Sequence, residues 1–278
     1  MKKIILFVFA LSAVIAGAQP ANSLFSHTAG KYLEINGANI YYEEIENPGK
    51  PVLLFLHGGF GSIEDFNIIV PPFTAGFHII GIDSRGHGKS TLGTDRLNYE
   101  RLQSDIESVL RHLRVSEVSV IGFSDGGIAG YRLAAANPGL VKKLITVGGS
   151  WSLNDAALIE NLMAGITPET CREMFARNFE FYQKNNPQPD FDRLAKCAME
   201  MWFDKSEAGY PDTSVSAISA PVLIVRGNDD EMFPLESAVE LTQKIKNALL
   251  FNIPFAPHRA FGKYPEVFVT VATEFLMK

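Results

Sequence analysis

The sequence predicts an α/β fold, and three observations carry that prediction. Short continuous apolar runs recur along the chain, helical spacing fills the stretches between them, and one strand passes through a serine-bearing turn straight into a helix. Composition agrees with a globular chain. Of 278 residues, 46% are hydrophobic and 20% are charged, too apolar for a disordered chain and too poor in Pro and Gly for a collagen-like or linker-type polymer. Lys and Arg number 25 against 31 Asp and Glu, a formal net charge of −6. With no Lys/Arg-rich stripe to neutralise phosphates, this balance argues against nucleic acid as a partner.

The elements follow in chain order. Met1-Lys2-Lys3 is a short basic start, Ile4 to Ile15 is almost unbroken apolar sequence, and Ala16-Gly17-Ala18 has the small-x-small pattern of a cleavage site. Residues 1–18 therefore read as a signal peptide, too short to span a bilayer, with cleavage expected after Ala18. The mature chain is expected to be secreted or periplasmic, with no membrane span. Tyr32–Ile35 and Ile40–Ile45 read as a hairpin around Asn36-Gly37, a strong two-residue turn signal. Apolar runs at Val52–Leu56, Phe77–Ile82, Val118–Ile121, Leu144–Val147, Val222–Val225 and Leu249–Ile253 fit strands covered on both faces. Between them, Leu102, Ile106, Val109, Leu110 and Leu113 line one helix, and Val267, Phe268, Val271 and Phe275 line another near the C-terminus.

One stretch breaks the alternation. From Ser150 to Asp212 no strand is evident and the patterns are helical. Asn154 can cap a helix carrying Ala157, Leu158 and Leu162. Thr167-Pro168 is a cap followed by proline at the first helical position. A further helix is expected from about Asp190 to Phe203. The reading is a helical insertion over the sheet, residues 151–212, between core segments 19–150 and 213–278. Cys171 and Cys197, the two cysteines, either close a disulfide loop of about 27 residues or remain free thiols.

The chemistry sits at strand ends. Gly122-Phe123-Ser124-Asp125-Gly126-Gly127 is G-x-S-x-G in a strand–turn–helix context, which exposes the serine at a helix N-terminus. His57-Gly58-Gly59-Phe60-Gly61 follows another strand, with backbone N–H groups able to meet an oxyanion. The oxyanion donors are assigned to Gly59 and to Asp125, with Phe60 as the fallback for Gly59. His57 itself reads as a structural histidine of the loop. Asp83-Ser84-Arg85-Gly86-His87-Gly88-Lys89-Ser90 lacks the first glycine of a phosphate loop, since position 83 is Asp.

On these motifs the sequence resembles the α/β-hydrolase fold family over nearly all of the mature chain. The resemblance implies a mostly parallel central sheet with helices on both faces and a helical cap. It also makes the Asp83–Ser90 loop architectural, with no catalytic role for Asp83 or His87. The family's chain order of serine, acid, histidine places the acid after the strand Val222–Val225. There the family spacing falls on Gly227, Asp230 and Pro234, making Asp230 the catalytic acid and adjacent Asp229 the alternative. The same order points to His258, the one histidine late enough and on a loop after a strand. It follows Pro257 where glycine is common. Ser124, Asp230 and His258 would perform two-step acyl transfer on a small-molecule acyl substrate with no metal or organic cofactor.

Serine at the elbow disfavours the haloalkane and epoxide chemistries of relatives with an aspartate nucleophile. Carboxylic esters come first, with carbon–carbon bond hydrolysis or aminopeptidase and amidase activity as alternatives, and a non-catalytic binding protein of the same fold as the rival. Ser124-Asp125-Gly126-Gly127 also resembles the elbow of relatives that cleave amino-acid esters, where a carboxylate beside the nucleophile could recognise an ammonium. Alternatively, Asp125 is simply an acid at a favourable helix N-terminus.

Overall fold

A computed structural model describes residues 23–153, 160 and 164–278. The signal peptide expected at 1–18 and the helix expected around Asn154, Ala157, Leu158 and Leu162 lie outside the described residues.

The hairpin forms as the Asn-Gly signal requires. Strands β1 (Lys31–Ile35) and β2 (Ala38–Ile45) pair antiparallel with Ile35 opposite Ala38. Asn36 and Gly37 take φ of 47° and 72°, the left-handed pair of a tight two-residue turn. Six further strands follow: β3 (Val52–Leu56), β4 (His78–Ile82), β5 (Val118–Phe123), β6 (Val141–Val147), β7 (Val222–Gly227) and β8 (Ala248–Ile253). The sheet order is β1-β2-β4-β3-β5-β6-β7-β8. β2 is antiparallel to β4, and every pair from β4 onward is parallel.

The continuous apolar runs are explained by two cores, one on each face. Leu54 and Leu56 of β3 join one cluster, while Leu53 and Phe55 join the other, as the period-two alternation of a strand dictates. The first core is covered by α1 (Tyr99–His112) and α2 (Asp125–Ala136), and also by α6 (Leu235–Lys244). Asn98 caps α1 by accepting from the Arg101 N–H at 2.7 Å. The second core is covered by 3-10 turns at Ile63–Phe66 and Pro71–Phe73, with α7 (Ala260–Lys263) and α8 (Pro265–Met277).

Helix α8 departs from the expected stripe. Its buried residues are Phe268, Ala272 and Leu276, and Val267 is 49% exposed. Apolar residues lie on more than one side of this helix, so spacing does not choose the face. Packing of Phe268 against Phe261, with ring centroids 5.8 Å apart, does.

Between β6 and β7 run α3 (Pro168–Met174), α4 (Ala176–Asn185) and α5 (Phe191–Trp202). Thr167 caps α3 with Pro168 following it, and Asp190 caps α5. Cys171 and Cys197 are free thiols, on α3 and α5. No helix among the described residues is long and apolar enough to cross a membrane.

Candidate active site

The parallel strands all point their C-terminal ends toward one rim. β4 lies outside β3 while β5 lies inside it, so the connections on either side of β3 diverge. A crevice opens at such a switch point. Gly59, Ser124, Asp230 and His258 all sit on loops leaving β3, β5, β7 and β8 there.

Ser124 occupies a strained turn between β5 and α2, with φ 49° and ψ −117°. Its N–H donates to the Val147 carbonyl at 2.8 Å, and its own carbonyl accepts from Gly127 and Ile128. The elbow depends on glycine at 126, where a Cβ would lie 2.1 Å from the Leu56 carbonyl oxygen. Conformational strain of this kind persists only where surrounding bonds hold it.

His258 bridges the serine and the acid. Its Nε2 lies 3.0 Å from Ser124 Oγ, and its Nδ1 lies 3.0 and 2.9 Å from the two Asp230 oxygens. Asp230 Oδ1 also accepts from the Met232 and Phe233 N–H groups at 2.9 and 3.1 Å. A carboxylate held by backbone donors only accepts, so Nδ1 carries the proton and Nε2 offers its lone pair to the serine hydroxyl. Asp230 is 5% exposed. Its neighbour Asp229 is exposed, and its carboxylate accepts from the Asn228 side-chain amide at 3.2 Å.

The acid loop is tied down by a residue the motifs did not single out. Arg226, buried at the end of β7, donates to the Phe233 carbonyl at 2.9 Å and the Asp230 carbonyl at 3.2 Å. Its only sequence signal was a cation interrupting an apolar strand.

The amides of Gly59 and Asp125 make no hydrogen bond with another described residue. His57 secures the loop that carries Gly59, since its Nε2 accepts from the Ser84 N–H at 2.9 Å while Nδ1 donates to the Gly58 carbonyl at 2.7 Å. Phe60, the alternative donor, is buried with φ 57°.

Asp83 and His87 lie apart from the serine contact. The Asp83 carboxylate accepts from Ile63, Lys89 and His27. His87 donates to the Arg85 carbonyl, and burial pulls its pKa down to about 4.

A cavity of about 120 Å³ opens beside Ser124 and His258, with walls from Tyr99, Phe175, Trp202 and Met232. It is close in size to a void that holds one benzene-sized group, on the order of 150 Å³. Asp125 also lines it. Its carboxylate is 6% exposed and accepts from Tyr99 Oη at 2.8 Å and from Trp202 Nε1 at 3.0 and 3.1 Å. Burial raises its pKa, and the Trp202 and Tyr99 hydrogen bonds oppose that rise. A larger groove of about 700 Å³, lined by Pro51, Arg114 and Lys143, lies at the opposite strand ends, away from these residues. Among the described residues no cluster of His, Cys, Asp and Glu could hold a metal ion.

Comparisons with known proteins agree with this architecture. The sequence profile of the alpha/beta hydrolase fold matches residues 51–167. The chain is 25% identical to the serine hydrolase BPHL of Homo sapiens, over 93% of this chain and 90% of that protein. It is 24% identical to the bifunctional esterase/perhydrolase DCH of Acinetobacter calcoaceticus, over 80% and 90% respectively. Among solved structures it resembles an alpha/beta hydrolase fold protein from Chitinophaga pinensis. The TM-score is 0.71 at 23% identity, covering 91% of this chain and 99% of that one.

Proposed function

This chain is an α/β-hydrolase-fold protein, and we propose that it is a serine hydrolase that cleaves small carboxylic esters through an acyl-enzyme. The observation that carries the reading is the chain of contacts from Ser124 Oγ to His258 Nε2 at 3.0 Å, and from Nδ1 to Asp230 at 2.9 Å. Likeness to proteins named esterase and serine hydrolase supports it.

In the proposed mechanism His258 takes the Ser124 proton as Oγ attacks the acyl carbon. The Gly59 and Asp125 N–H groups donate to the oxyanion. The tetrahedral intermediate collapses, breaking the acyl–oxygen bond, and His258 returns the proton to the leaving alcohol. Water, deprotonated by His258, then hydrolyses the acyl-enzyme and frees Ser124. Asp230 keeps the productive tautomer and stabilises the imidazolium. Loss of one oxyanion donor costs about 3 kcal/mol of transition-state stabilisation. Helices α3 to α5 serve as a cap in this reading, and the small cavity favours short acyl groups. Residues 1–18 are proposed to direct secretion.

The test is a panel of p-nitrophenyl esters of rising chain length, with fluorophosphonate labelling, on the wild type and Ser124→Ala. Hydrolysis and labelling that both vanish in the variant support the reading, and an inert wild type rejects it in favour of a binding protein. A second reading concerns amino-acid esters. It is favoured by the buried Asp125 carboxylate, whose hydrogen-bond donors are both neutral. In that reading Asp125→Asn raises KM for aminoacyl esters and spares neutral esters, while equal effects on both dismiss it.

A further inference from the structure

A buried carboxylate next to an oxyanion site is an electrostatic problem. In the proposed mechanism negative charge develops against the Gly59 and Asp125 amides, and a fixed negative charge on the Asp125 side chain opposes it. Among the described residues no Lys or Arg is paired with Asp125. Its partners are the Tyr99 hydroxyl from α1 and the Trp202 indole from the last residue of α5.

Trp202 reaches both halves of the proposed oxyanion hole. Its Nε1 lies 3.0 and 3.1 Å from the two Asp125 oxygens. A Cβ placed on Gly59 would lie 3.0 Å from Trp202 Cζ2 and 2.9 Å from Asp125 Oδ2. The indole and the carboxylate thus pack directly on the backbone that carries the other donor, and only glycine leaves room for them. The aromatic ring of Phe60 anchors the same contact, with centroids 5.6 Å from Trp202, 5.0 Å from Phe175 and 5.1 Å from Phe191. Helix α5 is therefore docked on the oxyanion loop through one indole and one phenyl ring.

We propose that Trp202 is a positioning residue: by hydrogen-bonding the Asp125 carboxylate it disperses that charge and seats the two oxyanion donors, so the hole is complete only while α5 is docked. The inference rests on the ester-hydrolase reading above. The titratable groups facing Asp125 are Tyr99 from α1, His57 from the loop after β3 and His258 from the loop after β8, with Tyr210 behind Tyr99. Removing the indole N–H while keeping a ring leaves the carboxylate charge undispersed, where it opposes the oxyanion and draws a proton to the facing His258 imidazole.

The experiment compares kcat, KM and the acid limb of the pH profile for the wild type, Trp202→Phe, Asp125→Asn and the double variant, on a short-chain neutral p-nitrophenyl ester. Trp202→Phe is expected to lower kcat about tenfold with KM within about twofold, and to move the acid limb to higher pH. In the Asp125→Asn background the same change is expected to cost little, the non-additivity of residues acting through one contact. A raised KM with unchanged kcat, an unmoved acid limb, or additive losses would overturn the proposal. If Trp202→Phe does not fold, Tyr99→Phe removes the other donor without touching α5 and must shift the same limb. If the wild type hydrolyses no ester, the functional reading fails while the contact stays testable. Trp151 and Trp202 are the 2 tryptophans of the chain, so Trp151→Phe leaves Trp202 as the sole indole, excited selectively at the red edge where tyrosine does not absorb. Its fluorescence must then titrate with pH and lose that titration in Asp125→Asn; a signal indifferent to Asp125 refutes the contact.

Discussion

His258 and His27 each bind a buried aspartate, but their second nitrogens meet different partners. His258 gives Nδ1 to Asp230 and leaves Nε2 against the Ser124 hydroxyl at 3.0 Å. His27, on the segment preceding β1, lies 2.7 Å from Asp83 through Nε2 and 2.7 Å from Glu64 through Nδ1. Carboxylates only accept, so both His27 nitrogens must donate and the ring has no lone pair left. Burial alone would disfavour the charged ring, but the hydrogen bonds and charges of Asp83 and Glu64 outweigh it and push its pKa up to about 9. His27 is thus a standing cation that rivets the N-terminal segment to the β4 loop. His258 is equipped to accept a proton. What separates a base from a rivet is whether the second nitrogen meets a hydroxyl or another carboxylate. His57 is a third case, in which the backbone occupies both nitrogens.

Substitutions can break or sharpen this contrast, beginning with the largest effect. His258→Ala should lower kcat on the order of 10⁵-fold, since among the described residues His258 is the base within hydrogen-bond reach of the Ser124 hydroxyl. Stopped assays with fluorophosphonate labelling would check it, and a loss below about tenfold would disprove the proposed base. Asp230→Asn should cost on the order of 10⁴-fold by favouring the wrong tautomer, while leaving the melting temperature close to wild type.

The next effect is on stability. His27→Gln should leave kcat within about threefold of wild type, yet destabilise the fold by on the order of 2 kcal/mol at mildly acidic pH, or roughly 4–8 °C in melting temperature. The folded-state pKa of about 9 lies above the ordinary 6.5. The stabilisation is therefore complete below about pH 6.5 and fades as pH rises through 9. Melting curves of both proteins should accordingly converge at alkaline pH, and a constant gap would show that His27 acts by packing alone. The smallest effect belongs to Asp229→Asn, expected within about threefold of wild type because that carboxylate is exposed and does not touch the imidazole. A loss matching that of Asp230→Asn would reverse the assignment.

Much of the fold was legible because its signals are local. The Asn36-Gly37 turn, the apolar run Val52–Leu56 and the Thr167-Pro168 cap each encode a backbone preference within a few residues, and each element forms there. β6 was legible only from Leu144. The preceding Lys142 and Lys143 look foreign to a strand, and Lys143 is accommodated because its ammonium meets the Phe275 and Leu276 carbonyls at the end of α8. The face of α8 was misread for a related reason, since an all-round apolar helix takes its orientation from its neighbours.

The candidate site divides along the same line. Ser124 was marked by the glycines around it, because a sharp elbow needs residues without side chains at close approaches. Asp230 and His258 came from a resemblance in chain order and not from any local rule. Tyr99, Trp202 and Arg226 carried no motif at all, since each acts through a partner between 4 and 77 residues away.

The sequence by itself determined the alternation of strands and helices, the elbow that exposes one serine, and the loops able to carry an acid and a base, because backbone preference and hydrophobic period are properties of short segments. Tertiary structure alone decided which of two adjacent aspartates turns inward, which imidazole nitrogen meets the serine hydroxyl, and which indole of the inserted helices rests on the loop after β3. Those outcomes depend on where charges and donors lie in space, and residues 134 positions apart become neighbours only when the sheet aligns the ends of its strands.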